Sequence, residues 1–261
     1  MTISRASSSS GLFLINVGAV SSVSSQSVCG IPAMAAAICS YTTIQSRSYS
    51  TANYFYVLIL VMIVIIPLLT MRTFAEERKM RTEQMLLTAP ISITGMVAGK
   101  FLAAFSLFGG ALIVSCINLI PLYIVGARDS ALSENTATTI SGPNTPQIIG
   151  SLLGVLLIGA VFIAIGVFIS SLTENQLSAA VLTIGALALM LVLNIVNQIG
   201  SEENGTRLIN NYVLRYVIDW VSVISRYSYF SAGYLDWAAI VYYISLVFVF
   251  LFLTARVYER R

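Results

Sequence analysis

Residues 54–72, YFYVLILVMIVIIPLLTMR, form an almost unbroken apolar run, and residues 73–92, TFAEERKMRTEQMLLTAPIS, follow it as a charged island. The first stretch is long enough to cross a ~30 Å hydrocarbon core as a helix, which takes about 20 residues. The second cannot lie in hydrocarbon, because Glu76, Glu77, Arg78, Lys79, Arg81 and Glu83 all fall within eight positions. A water-soluble segment this short, tied to the bilayer at both ends, is well placed to touch something outside the membrane.

The rest of the chain repeats the apolar half of this pattern. Of 261 residues, 57% are hydrophobic and only 10% charged, and mean hydropathy is +0.87; in soluble domains about a quarter of residues are charged. Apolar windows at Tyr54–Met71, Val97–Val125, Ile148–Ile169, Leu177–Ile199 and Trp237–Ala255 are each near or above spanning length. The expected fold is all-α, a polytopic membrane protein of about six transmembrane helices. Residues 1–53 are set apart as an atypical Ser-rich region, and 54–261 as the transmembrane domain. In the first region the best candidate span, Val28–Ile44, is short and interrupted by Pro32 and Ser40.

Several function classes drop out. A net charge of +3 without a Lys/Arg run gives no footing for nucleic acid. There is no histidine, and Cys29, Cys39 and Cys116 lack metal-like spacing. No acidic or basic residue falls in mid-span, where a proton- or sodium-coupled carrier keeps its ion site. Gly95-Met-Val-Ala-Gly99-Lys100-Phe101 is one residue too short for a phosphate loop and opens a span.

Loop charge sets the expected orientation. Arg72, Arg78, Lys79, Arg81 and Lys100 follow the first apolar run, and Arg256, Arg260 and Arg261 end the chain. Both groups are therefore expected on the cytoplasmic side, leaving 126–147 and 200–236 external. The aromatics at Tyr54–Tyr56 and Tyr227–Trp237 then fall at the outer interface. Thr73 and Glu76 fit a capping box that would start a separate helix, supported by Glu77–Arg81 and Lys79–Glu83 pairs and stopped by Pro90.

Other polar features are fewer. Residues 206–226 have an amphipathic pattern, with Trp220 and Ile224 on one face and Asp219, Ser222 and Arg226 on the other. Gly150-x-x-x-Gly154 and Gly95-x-x-x-Gly99 permit close helix approach, ordinarily within one chain. The span amides Asn118, Asn194 and Asn197 are expected to bond between helices, with a substrate path as their alternative role.

The stretch FAEERKMRTEQMLLTAPIS, the run GKFLAA, then IAIGVFISSLTENQ at 163–176 and DWAAIVYYISLVFVFLFLTARVYERR at the end resemble the permease subunits of ABC type-2 exporters, gliding-motility type, from about residue 54 onward. The resemblance implies a half-transporter of six spans in a bacterial cytoplasmic membrane, with its C-terminus inside. It implies a partner ABC ATPase subunit, a second permease copy in a homo- or heterodimer, and in some complexes an auxiliary extracellular protein. ATP would bind to the partner, with no cofactor or metal on this chain. A cytoplasmic coupling helix would lie at 73–88, with Thr73, Glu76, Glu77, Arg78, Arg81 and Glu83 as ATPase contacts and Glu174 in a second, shorter contact. The other readings are a non-transport anchor or mechanotransmission subunit, disfavoured by short outer loops, and a secondary transporter.

The orientation is directly measurable. Cysteines placed at Arg81 and Arg260 should react only with membrane-permeant thiol reagents, and those at Asn135 and Asn204 with impermeant ones added to intact cells. Labelling of position 81 by an impermeant reagent would reverse the topology.

Overall fold

The computed structural model describes residues 51–79, 93–117, 119, 120, 124, 145–199, 222–234 and 236–259, with Met34 alone ahead of them. Apart from Met34, the Val28–Ile44 segment lies outside this set, as do Arg81, Glu83, Asn118 and most of 206–226. Among the described residues there are six helices and no strand. They are α1 (Thr51–Lys79), α2 (Ile93–Cys116), α3 (Thr145–Leu172), α4 (Gln176–Ile199), the single-turn α5 (Tyr227–Ser231) and α6 (Trp237–Glu259). All but α5 are long and apolar enough to cross a membrane, so the chain is an all-α polytopic membrane protein.

The long helices run alternately up and down. The Tyr54 end of α1, the end of α2, the start of α3, the end of α4 and the start of α6 share one end of the bundle. The other end gathers the charged tip of α1, Lys100, the α3–α4 turn and Arg256. Side-chain ties fix this register at both ends. Tyr54 Oη donates to the Ser115 carbonyl at 2.9 Å, and Lys100 Nζ donates to the Thr73 carbonyl at 2.8 Å.

Helix α3 is the centre, with α1, α2, α4, α5 and α6 all packed on it. Residues Val161 to Ile165 are all buried, the whole helical circumference included, as expected of a helix apolar all round. In contrast, α4 and α6 leave apolar stripes uncovered among the described residues, including Leu177, Val181 and Leu189, and Trp237, Val241 and Phe248. In a membrane such stripes face acyl chains or another subunit at little cost.

Three expected boundaries and faces change. The Val97 span begins at Ile93, and its regular helix ends at Cys116 instead of Val125; beyond it, Ile117 and Ile120 donate to carbonyls only three residues back. Lys100 belongs to a spanning helix, not to the loop before it. The aromatics assigned to an interface divide: Tyr229, Tyr234 and Trp237 are exposed, whereas Tyr54, Phe55, Tyr227 and Phe230 are core.

Tyr227 and Phe230 reach the core because of Gly150 and Gly154. A Cβ at Gly150 would lie 2.7 Å from the Phe230 carbonyl oxygen, and one at Gly154 would lie 2.9 Å from Phe230 Cβ. The motif therefore seats α5 on α3, an intrachain use. Gly233, at φ +83°, turns the chain out of α5 towards Pro146 and Gln147, a conformation that favours glycine. Ser151 and Tyr227 are buried in the same seam, with their hydroxyl oxygens unpaired among the described residues. Burial pushes the Tyr227 phenol well above the ordinary tyrosine range, the nearby Ser151 hydroxyl opposing this only in part.

Gly150→Ala and Gly110→Ala should therefore part company. A rigid carbonyl blocks the first, which should cost about 1–3 kcal/mol. Open space surrounds Gly110, and alanine there should add up to about 1 kcal/mol from helix propensity. Thermal unfolding in detergent checks both, and equal shifts would refute the α3–α5 seam.

Candidate functional site

The charged end of the bundle converges on the base of the island. Helix α1 does not stop where the apolar run stops. It continues through Met71, Thr73 and Phe74 to Lys79 as one 29-residue helix. The expected capping box is thus not formed. Thr73 is inside the helix and buried, its hydroxyl donating back to the Thr70 carbonyl at 2.5 Å. A capping box needs a chain break before it, and residues 68–75 contain neither glycine nor proline to make one. The proline present, Pro67, lies a turn and a half earlier and removes only its own amide from the ladder.

Three other helices grip this base. From α3, Ser170 Oγ accepts from the Phe74 and Ala75 amides at 3.3 and 3.4 Å. From α2, Lys100 donates to Thr73 and stands 3.9 Å over the Phe74 ring, a cation–π contact. From α6, Tyr258 packs against the same ring at 4.9 Å between centroids. Thr70 fits the face of α3 at Gly166, where a Cβ would collide with its hydroxyl. Phe74 and Ala75 are completely buried. The next turn, Glu76 to Lys79, continues the same helix to the end of this described stretch.

The α3–α4 turn lies at this same end. Ser171 donates to the Phe168 carbonyl at 2.6 Å and Thr173 to that of Ile169 at 3.2 Å, while the Asn175 carbonyl accepts from Ala179 at 3.0 Å to start α4. Glu174 is left exposed between them. The structure thus brings Glu174 and the Glu76–Arg78 turn to one end of the molecule. Thr73 is there too, but as a buried part of the clamp and not a presented contact. Arg81 and Glu83 lie beyond the described residues.

The amides are elsewhere. Asn194 is buried at the opposite end of α4, with Nδ2 3.5 Å from Ser222 Oγ. Asn197 follows three residues later on the same helix, and Asn118 is outside the described set. Ser222, expected on a polar helix face, is buried in a turn instead. Its hydroxyl also accepts from the Ser225 amide at 3.4 Å, which ties 222–225 into a local turn. Arg226 stacks over Tyr242 at 4.0 Å.

Sequence reasoning missed Lys100, Ser170 and Tyr258 as parts of the site. Lys100 did carry a signal: it is the one charged residue between Ile93 and Cys116. Counting it with the loop basics hid that. The Gly95–Phe101 run around it is regular helix.

The sequence from residue 11 to residue 261 matches the family described as ABC-2 family transporter protein. The chain belongs to that family. It is accordingly a multi-pass permease component of an ABC transporter, a membrane transport part whose partner is an ABC ATPase. The match opens at residue 11, well ahead of Tyr54, so family likeness extends into the Ser-rich region where none was expected. No curated protein matches the sequence.

Proposed function

We propose that this permease is the membrane half of an ATP-driven exporter, and that a separate ATPase drives it through the island at the tip of α1. What supports the reading is the continuity of α1. Its apolar, membrane-length part and the turn Glu76–Lys79 are one helix, so a push on the tip reaches the bundle without a flexible joint. The contacts would begin at Glu76, Glu77 and Arg78 and continue to Arg81 and Glu83, with Glu174 as a second contact. Thr73 would transmit the motion from within the clamp.

On this reading the charged end faces the cytoplasm of a bacterial cell, and ATP is bound by the partner, not by this chain. Two permease copies pair with two ATPase subunits, nearest in kind to the gliding-motility-type exporters. Asn194 and Asn197, at the far end of α4, are candidates for the exit side of a substrate path.

Glu76→Lys with Glu77→Lys should leave the permease inserted and folded but abolish ATPase co-purification. Like charges set against a complementary surface cost several kcal/mol, whereas losing exposed helix ion pairs costs only about 0.2–0.5 kcal/mol each. Complex formation at the wild-type level would refute the docking role of the island.

A further inference from the structure

We infer that Lys100 is a positioning residue for energy transfer, latching α2 to the base of the α1 tip so that both helices move together. The inference deepens the coupling reading above and rests on it. Lys100 is 3% exposed, seven residues into α2, or about 10 Å along the helix axis at 1.5 Å per residue. A lysine at that depth normally snorkels towards water. This one instead points its ammonium at the backbone of another helix.

Two partners of the ammonium are on α1, in consecutive residues. The Thr73 carbonyl accepts at 2.8 Å and the Phe74 ring lies 3.9 Å away. Phe74 is fully buried and backed by Tyr258, so the platform cannot swing aside without disturbing α6. Burying a cation is costly, and an apolar residue of similar volume often stabilises more; what a charge adds here is a fixed orientation between two helices.

The rest of the α1–α2 interface gives that orientation little help. The two helices otherwise touch sparsely. Between Leu58–Ile66 on α1 and Phe108–Ser115 on α2 lies a small apolar cleft. Beyond that cleft, at the opposite end, the Tyr54–Ser115 bond closes the pair. Ser170 ties the tip to α3 alone. Lys100 is thus the direct side-chain link from the tip to α2, whose larger contacts are with α3 and α6.

The test needs no known substrate. Nitroxide labels go on Ile117→Cys, at the far end of α2, and Tyr234→Cys, in a chain whose native cysteines are serine. Distances are measured for the permease–ATPase complex in lipid nanodiscs, nucleotide-free and trapped with ATP and vanadate. The wild-type pair should shift on trapping. Lys100→Met, which keeps the aliphatic stem, should co-purify with the ATPase and allow hydrolysis but show no shift, and Lys100→Arg should restore it. Phe74→Leu, which keeps the ammonium and the carbonyl, should reduce the shift, and it replaces Lys100→Met if that variant fails to insert. A full shift in Lys100→Met, or in Phe74→Leu standing in for it, overturns the latch. A wild-type complex that assembles and hydrolyses ATP without any shift overturns the coupling reading itself, and the latch with it.

Discussion

Helices in a bilayer gain almost nothing by burying apolar side chains against one another, because lipid tails are as apolar as leucine. Close approach and polar ties must hold the bundle instead, and α3 is where that constraint is met. Its glycines receive one neighbour after another: Phe230 of α5 lies against Gly150 and Gly154, Phe108 of α2 against Gly159, and Thr70 of α1 against Gly166. With these approaches made, the large side chains of three helices meet one axis. The uncovered stripes of α4 and α6 follow from the same economics, since exposing leucine to lipid costs nothing.

Polar ties then decide which parts of the frame are stiff. At the end bearing Tyr54, α1 and α2 are joined by a tyrosine hydroxyl, and Tyr243 donates to the Val223 carbonyl at 2.7 Å to hold the turn before α5. At the charged end, Ser170, Lys100 and Tyr258 meet around Thr73 and Phe74. The turn Glu76–Lys79 of α1 stands directly on this clamp. A rigid helix anchored in three neighbours is suited to convert an outside contact into movement of the bundle, which is why the functional reading rests on the continuity of α1 more than on its charges.

How much of this was legible in the sequence depended on the range of the interaction. Hydrophobic run length gave the spanning helices, since their period and extent are local properties. The intrachain use of Gly150-x-x-x-Gly154 was also legible in kind, though nothing local named Phe230 as its partner. The capping box at Thr73 misled because threonine serves equally as an N-cap and as a back-bonding residue inside a helix; the clamp that decides between them comes from residues 27 and 96 positions away in the chain. The aromatic belt failed for a related reason. Tyr54 and Tyr227 have the amphipathic character of interface residues, but Tyr227 is buried against Gly154 of α3 and Tyr54 where its hydroxyl meets Ser115. Lys100 was visible as a lone charge, and only its partner on α1 gives it a role.

Photo-crosslinking tests the central claim most directly. A photoreactive amino acid at Arg81 in the assembled complex should yield adducts with the ATPase subunit, and one at Asn204 should not. Adducts formed from Asn204 but not from Arg81 would contradict the claim that the tip of α1 is where the ATPase drives the membrane part.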